Sequence, residues 1–442
     1  MLNAGQKPEI MKLLFVKRNV LLSLSSALIA GLIIFSGKQN ESKKTIARCC
    51  NNPAANHVCV MKTILGIDTS QEGKWISTFK TPEKVEASVK KGLDWINKAQ
   101  ANDGGWGAGT HTRQDIMDPH AVPSDPATTS LVAMSLLRTD NTLEKGSHSK
   151  NLKRATEFLL KAIENCPAHQ VYITTLTNTQ PQTKLGRNID VILTAQFFTN
   201  ILRYSISDSE LKKRIEKALD KCVIRIQQCQ DADGSWKDGG WAPVLQSAMA
   251  NNALEQAQDR YEVKDEAIAN SRKYQANNVG GEGVKSDDAA GVPLYAAVSA
   301  QRATATETKE VEEILPSAFL GSQSNEPKDE KVISKALQDK GITREKADRM
   351  AKSYTVNQLS TKTLEDEDIW SGFGNNGGEE YLSYMMTSEA LSHQDHDKWV
   401  QWRQSIEPKF KATQNPNGSW SGQHCITSPV FCTAAVVQAW NQ

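Results

Sequence analysis

Charge of one sign is missing from this chain. Its 52 Lys and Arg are matched by 51 Asp and Glu, a formal net charge of +1, so it carries no general footprint for nucleic acid. Cysteine pairs of the CxxC kind are missing too. Eight cysteines are present, at 49, 50, 59, 166, 222, 229, 425 and 432, but no CxxC occurs, which leaves redox and zinc-ribbon readings without support. There is no glycine-rich phosphate loop, no Ser-His-Asp order and no nucleophile elbow. Nor is there any strand-like alternation of useful length. Long apolar runs are absent with one exception, residues 19–36, which follow Lys12, Lys17 and Arg18.

That run reads as a signal peptide or a single N-terminal anchor. No small-x-small cleavage site follows it, since Phe35 stands two residues before Gly37, and no cysteine follows closely enough for a lipoprotein box. The favoured expectation is an uncleaved anchor over 1–37, a polar connector over 38–78 and a folded domain over 79–442, outside the cytoplasm. Lys38, Lys43, Lys44 and Arg48 lie beyond the run, so the positive-inside rule sets no orientation. An exported chain should pair some of its cysteines.

What the chain does have is a repeat. Gln, three residues, Gly, one residue, Trp occurs as Gln100–Gly104–Trp106, Gln230–Gly234–Trp236 and Gln414–Gly418–Trp420, each with Asp or Asn before the glycine. Repetition at fixed offsets means stacked units that bury a core between them. Asp or Asn followed by Gly makes a turn. A helical segment precedes each turn: Lys91 to Gln100 for the first, and Leu211 to Gln230, with its period of Ile215, Leu219, Val223 and Ile226, for the second. A proline and a small-residue helix follow each: Pro126–Leu137, Pro243–Leu254 and Pro429–Trp440. Gln can bond free backbone groups at a helix end, and Trp can stack over the turn. Asn151–Ile163, Asn188–Ile206 and Gly377–Leu391 are also expected to be helical. From about 303 to 367 the chain becomes strongly charged and loses the repeat. It reads there as a solvated helical insertion with one short amphipathic helix near Ile342–Lys352. The class is all-α.

Lys91, Gly92, Trp95, Ile96, Gln100, Gly104 and Trp106 fill every fixed position of the glutamine–tryptophan motif of squalene–hopene and oxidosqualene cyclases. The second copy keeps Lys221, Ile226, Gln230, Gly234 and Trp236, with Cys222 and Arg225 at two other fixed positions. The third keeps Gln414, Gly418 and Trp420. Over roughly 80–300 and 370–442 the chain resembles the prenyltransferase and squalene cyclase repeat superfamily. The resemblance implies an α/α toroid, a double-layered ring of helices around a central pocket.

It also implies a chemistry to look for. Cyclases of this kind protonate an alkene with an aspartic acid from an Asp-x-Asp-Asp-Thr-Ala string. The nearest echo here is Lys285-Ser-Asp-Asp-Ala-Ala290, which makes Asp287 the candidate acid and Asp288 its neighbour; the same two residues would also suit a helix N-terminus. Aromatic walls that stabilise cations would come from Phe373, Tyr381 and Tyr384, although core packing explains these equally well, and aromatics amount to only 6% of the chain. Prenyltransferases on the fold hold zinc with Asp, Cys and His. His424–Cys425 follows the third turn, but no spacing here matches a metal signature, so no metal or cofactor is expected. His111, Asp115, Asp118, His120 and Asp125 form the densest polar loop, a candidate binding site in Asp118, His120 and Asp125. The resulting expectation is an isoprenoid-handling protein. Its partners would be a hydrophobic small molecule or lipid, and the membrane through the N-terminal segment. The alternative is a non-catalytic envelope protein that binds a lipid or polypeptide. A glycan enzyme on a similar ring would use Asp118/Asp125 or Glu379/Glu380.

Overall fold

Two kinds of helix alternate along the chain, and composition explains both. The first, α1 (Glu83–Lys98), is amphipathic: Val85, Val89, Leu93 and Ile96 are buried, while Lys90, Lys91 and Lys98 face water. The second, α2 (Pro126–Leu137), is buried at every position, so it has no polar stripe, and its Ala, Ser and Thr let neighbours approach closely. Pro126 needs no backbone donor at a helix start. The alternation continues with the one-sided α3 (Ser149–Glu164), a short α4 (Gln180–Leu185) and the fully buried α5 (Ile189–Ile201). Next come one-sided α6 (Ser209–Gln228) and α7 (Pro243–Ala257), buried at all but one position. These are followed by α8 (Asp265–Asn277) and α9 (Pro293–Ile314). After α10 (Ser317–Leu320), α11 (Glu330–Asp339) and α12 (Arg344–Leu364), the buried kind returns as α13 (Gly378–Gln394). Then α14 (His396–Thr413) precedes α15 (Pro429–Trp440), which is buried throughout.

The computed structural model describes residues 83–442, apart from 168, 281–282, 322–327, 373 and 375. The apolar run 19–36, the connector and Cys49, Cys50 and Cys59 lie outside the described residues, as does Phe373. Among the described residues no helix is long and apolar enough to cross a membrane. The five described cysteines are thiols, Cys425 and Cys432 included.

The buried helices pack in order. α2 lies on α5, α5 on α7, α7 on α9, α9 on α13, α13 on α15, and α15 returns to α2. Each one-sided helix covers buried ones: α1 on α15, α3 on α2, α6 on α5, α8 on α7 and α9, α14 on α13 and α15.

The three Gln–Gly–Trp turns lock this arrangement, and each does so with the same bonds. The indole N–H of Trp106, Trp236 and Trp420 donates to the carbonyl of Ile96, Ile226 and Phe410, at 2.9, 2.8 and 2.7 Å. The backbone N–H of each Trp donates to a hydroxyl of the buried helix that follows, Thr129, Ser247 or Thr433. The Gln amide bonds the carbonyl of its own turn glycine. It also reaches the start of another one-sided helix: Asn151 of α3 from Gln100, Ala267 of α8 from Gln230, and Ser88 of α1 from Gln414. The turn glycine has to be glycine. Gly104, Gly234 and Gly418 sit at φ 94, 91 and 96°, where a side chain is strained. A Cβ there would collide with the carbonyl of Arg154, Asn270 or Lys91 on the helix that the Gln has clamped.

The charged stretch differs from the expected solvated insertion. α9 runs unbroken past Ala303 to Ile314, and α12 is 21 residues long and packs along it. Val311, Leu315, Ile333, Leu337, Ala347 and Met350 form a small core of their own. Charge also goes inward here. Glu307, 3% exposed, is held by Arg272, Arg349 and Ser353, so pattern reading saw charges where the fold pairs them. Strand content among the described residues is one antiparallel pair, Val279–Gly280 with Gly283–Val284, in the glycine-rich loop that precedes α9.

Candidate functional site

Hydrogen bonds tie the starts of the buried helices to one another. At α2, the Asp125 side chain caps the helix by accepting from Thr128 N and also takes Ala108 N and the Thr128 hydroxyl. At α5, Asp190 accepts from Ala127 N of α2 and from Gln182 Nε2. Both carboxyls are buried, and neither makes an ion pair among the described residues. Burial pushes Asp125 up to about 6. Burial and then the charge of Asp125 push Asp190 up to about 7. Gln180, at the start of α4, accepts through Oε1 from Thr427 N and Ser428 N before α15. Lys184, also of α4, is 2% exposed and sits 3.3 Å from the ring centroid of Trp241. His111 meets the same indole edge-on at 5.3 Å.

A second polar group centres on the start of α13. Glu380 closes a capping box with Gly377 N and accepts from the Tyr295 hydroxyl at the start of α9. His424 Nε2 stands 3.6 Å from Glu380 Oε2. Glu379, 2% exposed, accepts from Ile426 N. Burial, followed by the charges of Cys425 and Glu380, pushes its carboxyl well above the usual range. Glu379, His424 and Cys425 bring an oxygen, a nitrogen and a sulfur within 4.8 Å of one another. Cys425 holds φ 61°, a left-handed backbone that is strained outside glycine and clusters at functional sites. That donor set suits zinc, which takes Cys, His and carboxylate ligands and in open sites leaves a fourth position free.

The expected site residues scatter. Asp287 lies exposed in a 3₁₀ turn, Asp287–Ala289. Asp288 bonds the Tyr274 hydroxyl at 2.9 Å and Lys237 at 3.0 Å. Asp118 is exposed and caps the short turn that holds His120, itself exposed. Of that loop, Asp125 and His111 join these contacts, Asp125 through its hydrogen bonds and His111 against Trp241. Tyr381 and Tyr384 are buried, and both rings meet Phe410 of α14; Tyr384 also stacks on Trp370 and Trp402. They therefore pack between helices. Sequence reading missed Asp190, Lys184, Tyr295 and Trp241. Asp190 had a signal, a lone carboxylate two residues into an otherwise apolar helix. The pairing of Glu379 with His424–Cys425 had none, because the two segments are far apart in sequence and belong to different helix starts.

Mostly helical packing with repeated Gln–Trp turns defines the class. Residues 73–175 match the family model for the squalene-hopene cyclase C-terminal domain. The match supports membership of the terpenoid-cyclase-like superfamily. No curated protein and no solved structure matches the chain.

Proposed function

We propose that this chain is an isoprenoid-handling protein. In this reading the six buried helices form the inner layer of an α/α toroid, the polar mouth is its functional end, and residues 11–36 tether it to a membrane. The observation that supports it is the Gln414–Ser88 bond, by which the third turn clamps the first helix, together with the family match over 73–175. Binding, not ring closure, is the favoured activity, since Asp287 faces water and Asp288 is occupied by Lys237 and Tyr274. The test is to incubate the full chain with radiolabelled squalene and farnesol, measure bound label and analyse the products. Saturable binding with no polycyclic product is expected, unchanged in Asp287→Asn. Failure of both probes to bind sinks the reading, and polycyclic products lost in Asp287→Asn would replace binding with cyclisation.

The Glu379–His424–Cys425 cluster favours a second reading, that the mouth holds a structural or catalytic zinc ion. Purified protein is expected to carry about one zinc per chain, lost in Cys425→Ser and kept in Cys432→Ser. Cobalt substitution should give a thiolate charge-transfer band that disappears with the same variant. Equal zinc in both variants would end this reading.

A further inference from the structure

A histidine that binds a metal through one ring nitrogen nearly always gives the N–H of the other to a carboxylate, a carbonyl or water, and that bond fixes both its tautomer and its orientation. The ligand is then only as well placed as the group behind it. Behind His424 stands Glu380.

The backbone on either side of His424 is pinned to the start of α13. Gln423 N donates to Asn376 O at 2.8 Å, and Gly378 N donates to Ile426 O at 2.9 Å. The ring lies against Gly377, where a Cβ would stand 2.8 Å from His424 Cε1 and 2.9 Å from Nδ1. Its Nε2 faces Glu380 Oε2 at 3.6 Å, an electrostatic contact just longer than a hydrogen bond.

Glu380 is itself held in place. It is fully buried. Its Oε2 accepts from Gly377 N at 2.7 Å, and its Oε1 accepts from the Tyr295 hydroxyl. Gly372, at φ 53°, crowds it from the other side, where a Cβ would stand 2.9 Å from the Glu380 Cγ. Successive side chains on a helix point about 100° apart, so the two adjacent carboxylates serve different neighbours. Glu379 lies with Cys425 and accepts from Ile426 N, while Glu380 meets the far nitrogen of His424.

We propose that Glu380, braced by Tyr295, is a positioning residue that holds His424 with Nε2 toward its own carboxylate and Nδ1 toward a metal ion shared with Glu379 and Cys425. This rests on the zinc reading of the cluster and adds a division of labour to it. Glu379 gives an oxygen to the ion, and Glu380 orients a ligand.

Zinc affinity of the full chain, measured in competition with a chromophoric chelator, tests the role. The parent is expected to bind about one zinc per chain. Glu380→Gln keeps an oxygen for Gly377 N but loses the charge, and should bind zinc about 10–100-fold more weakly at the same stoichiometry. Tyr295→Phe, which removes only the brace, should lose about two- to tenfold. A second measurement needs no altered Glu380 and reads more than helix capping. In side-chain nitrogen NMR of the zinc-loaded parent with labelled histidine, the His424 signals, identified by their absence from His424→Gln, should show Nδ1 on the metal and the proton on Nε2. A parent that takes up no zinc sinks the zinc reading and this role together. Zinc bound through Nε2, or an affinity of Glu380→Gln within about twofold of the parent, overturns the role of Glu380 and leaves the zinc site standing.

Discussion

Trp420→Ala is expected to remove about 3–5 kcal/mol of folding stability, the range for deleting a buried large aromatic side chain. The indole is fully buried, donates to Phe410 O at 2.7 Å, meets Trp440 edge-on at 5.8 Å and lies against Gly92 of α1. Truncation thus leaves a cavity, an unmet carbonyl and a loosened contact between α1 and α15. Whole domains are stable by only about 5–15 kcal/mol, so much of the margin disappears. Urea denaturation measures it, with exposed Val332→Ala as the reference that stays within about 0.5 kcal/mol of the parent. A loss below about 1 kcal/mol for Trp420→Ala would show that the turns do not hold the helices together.

The second large effect is a fall in stability with rising pH, caused by Asp125 and Asp190. Their carboxyls are raised from 3.8 to about 6 and about 7 in the folded chain. Between those limits the folded state binds more protons than the unfolded state, so stability declines as pH climbs. The two carboxyls weigh least against folding below about pH 4, and the loss is complete above about pH 7. One pKa unit corresponds to about 1.4 kcal/mol, so the pair together accounts for several kcal/mol, reduced by whatever relaxation admits water. Asp190→Asn removes one charge and relieves Asp125 of its neighbour. Its denaturation midpoint should therefore change less than that of the parent between pH 5 and pH 8. A parent that gains stability over this interval relative to Asp190→Asn would contradict the account.

Much of the fold was legible because repeated local chemistry wrote it. The proline-led helices at 126–137 and 429–440 have the bounds read from the sequence, since Pro, small residues and unbroken burial mark both ends. The full lengths of α9 and α12 and their packing on each other were not legible. Their polar residues, Glu307 and Arg302 among them, are buried in ion pairs with Arg272 and Glu389, and sequence shows the charge without the partner. The sites were less legible still. Asp125 was singled out within a loop, but its neighbour Asp190 was hidden inside an apolar helix. His424–Cys425 was noticed as a zinc candidate and Glu379 as a carboxylate of a glycan enzyme, and only folding brings them together.

The contact of α15 with both α1 and α2 has a consequence during synthesis. Among the described helices, α15 and the Gln414–Trp420 turn leave the ribosome last. Until they do, the apolar face of α1 and the side of α2 that meets α15 stay uncovered, and the growing polypeptide presents them to passing hydrophobic surfaces. Such exposure invites association between nascent chains. A chaperone holding Val85, Val89 and Leu131 until α15 has emerged would protect this protein more than one acting at mid-chain.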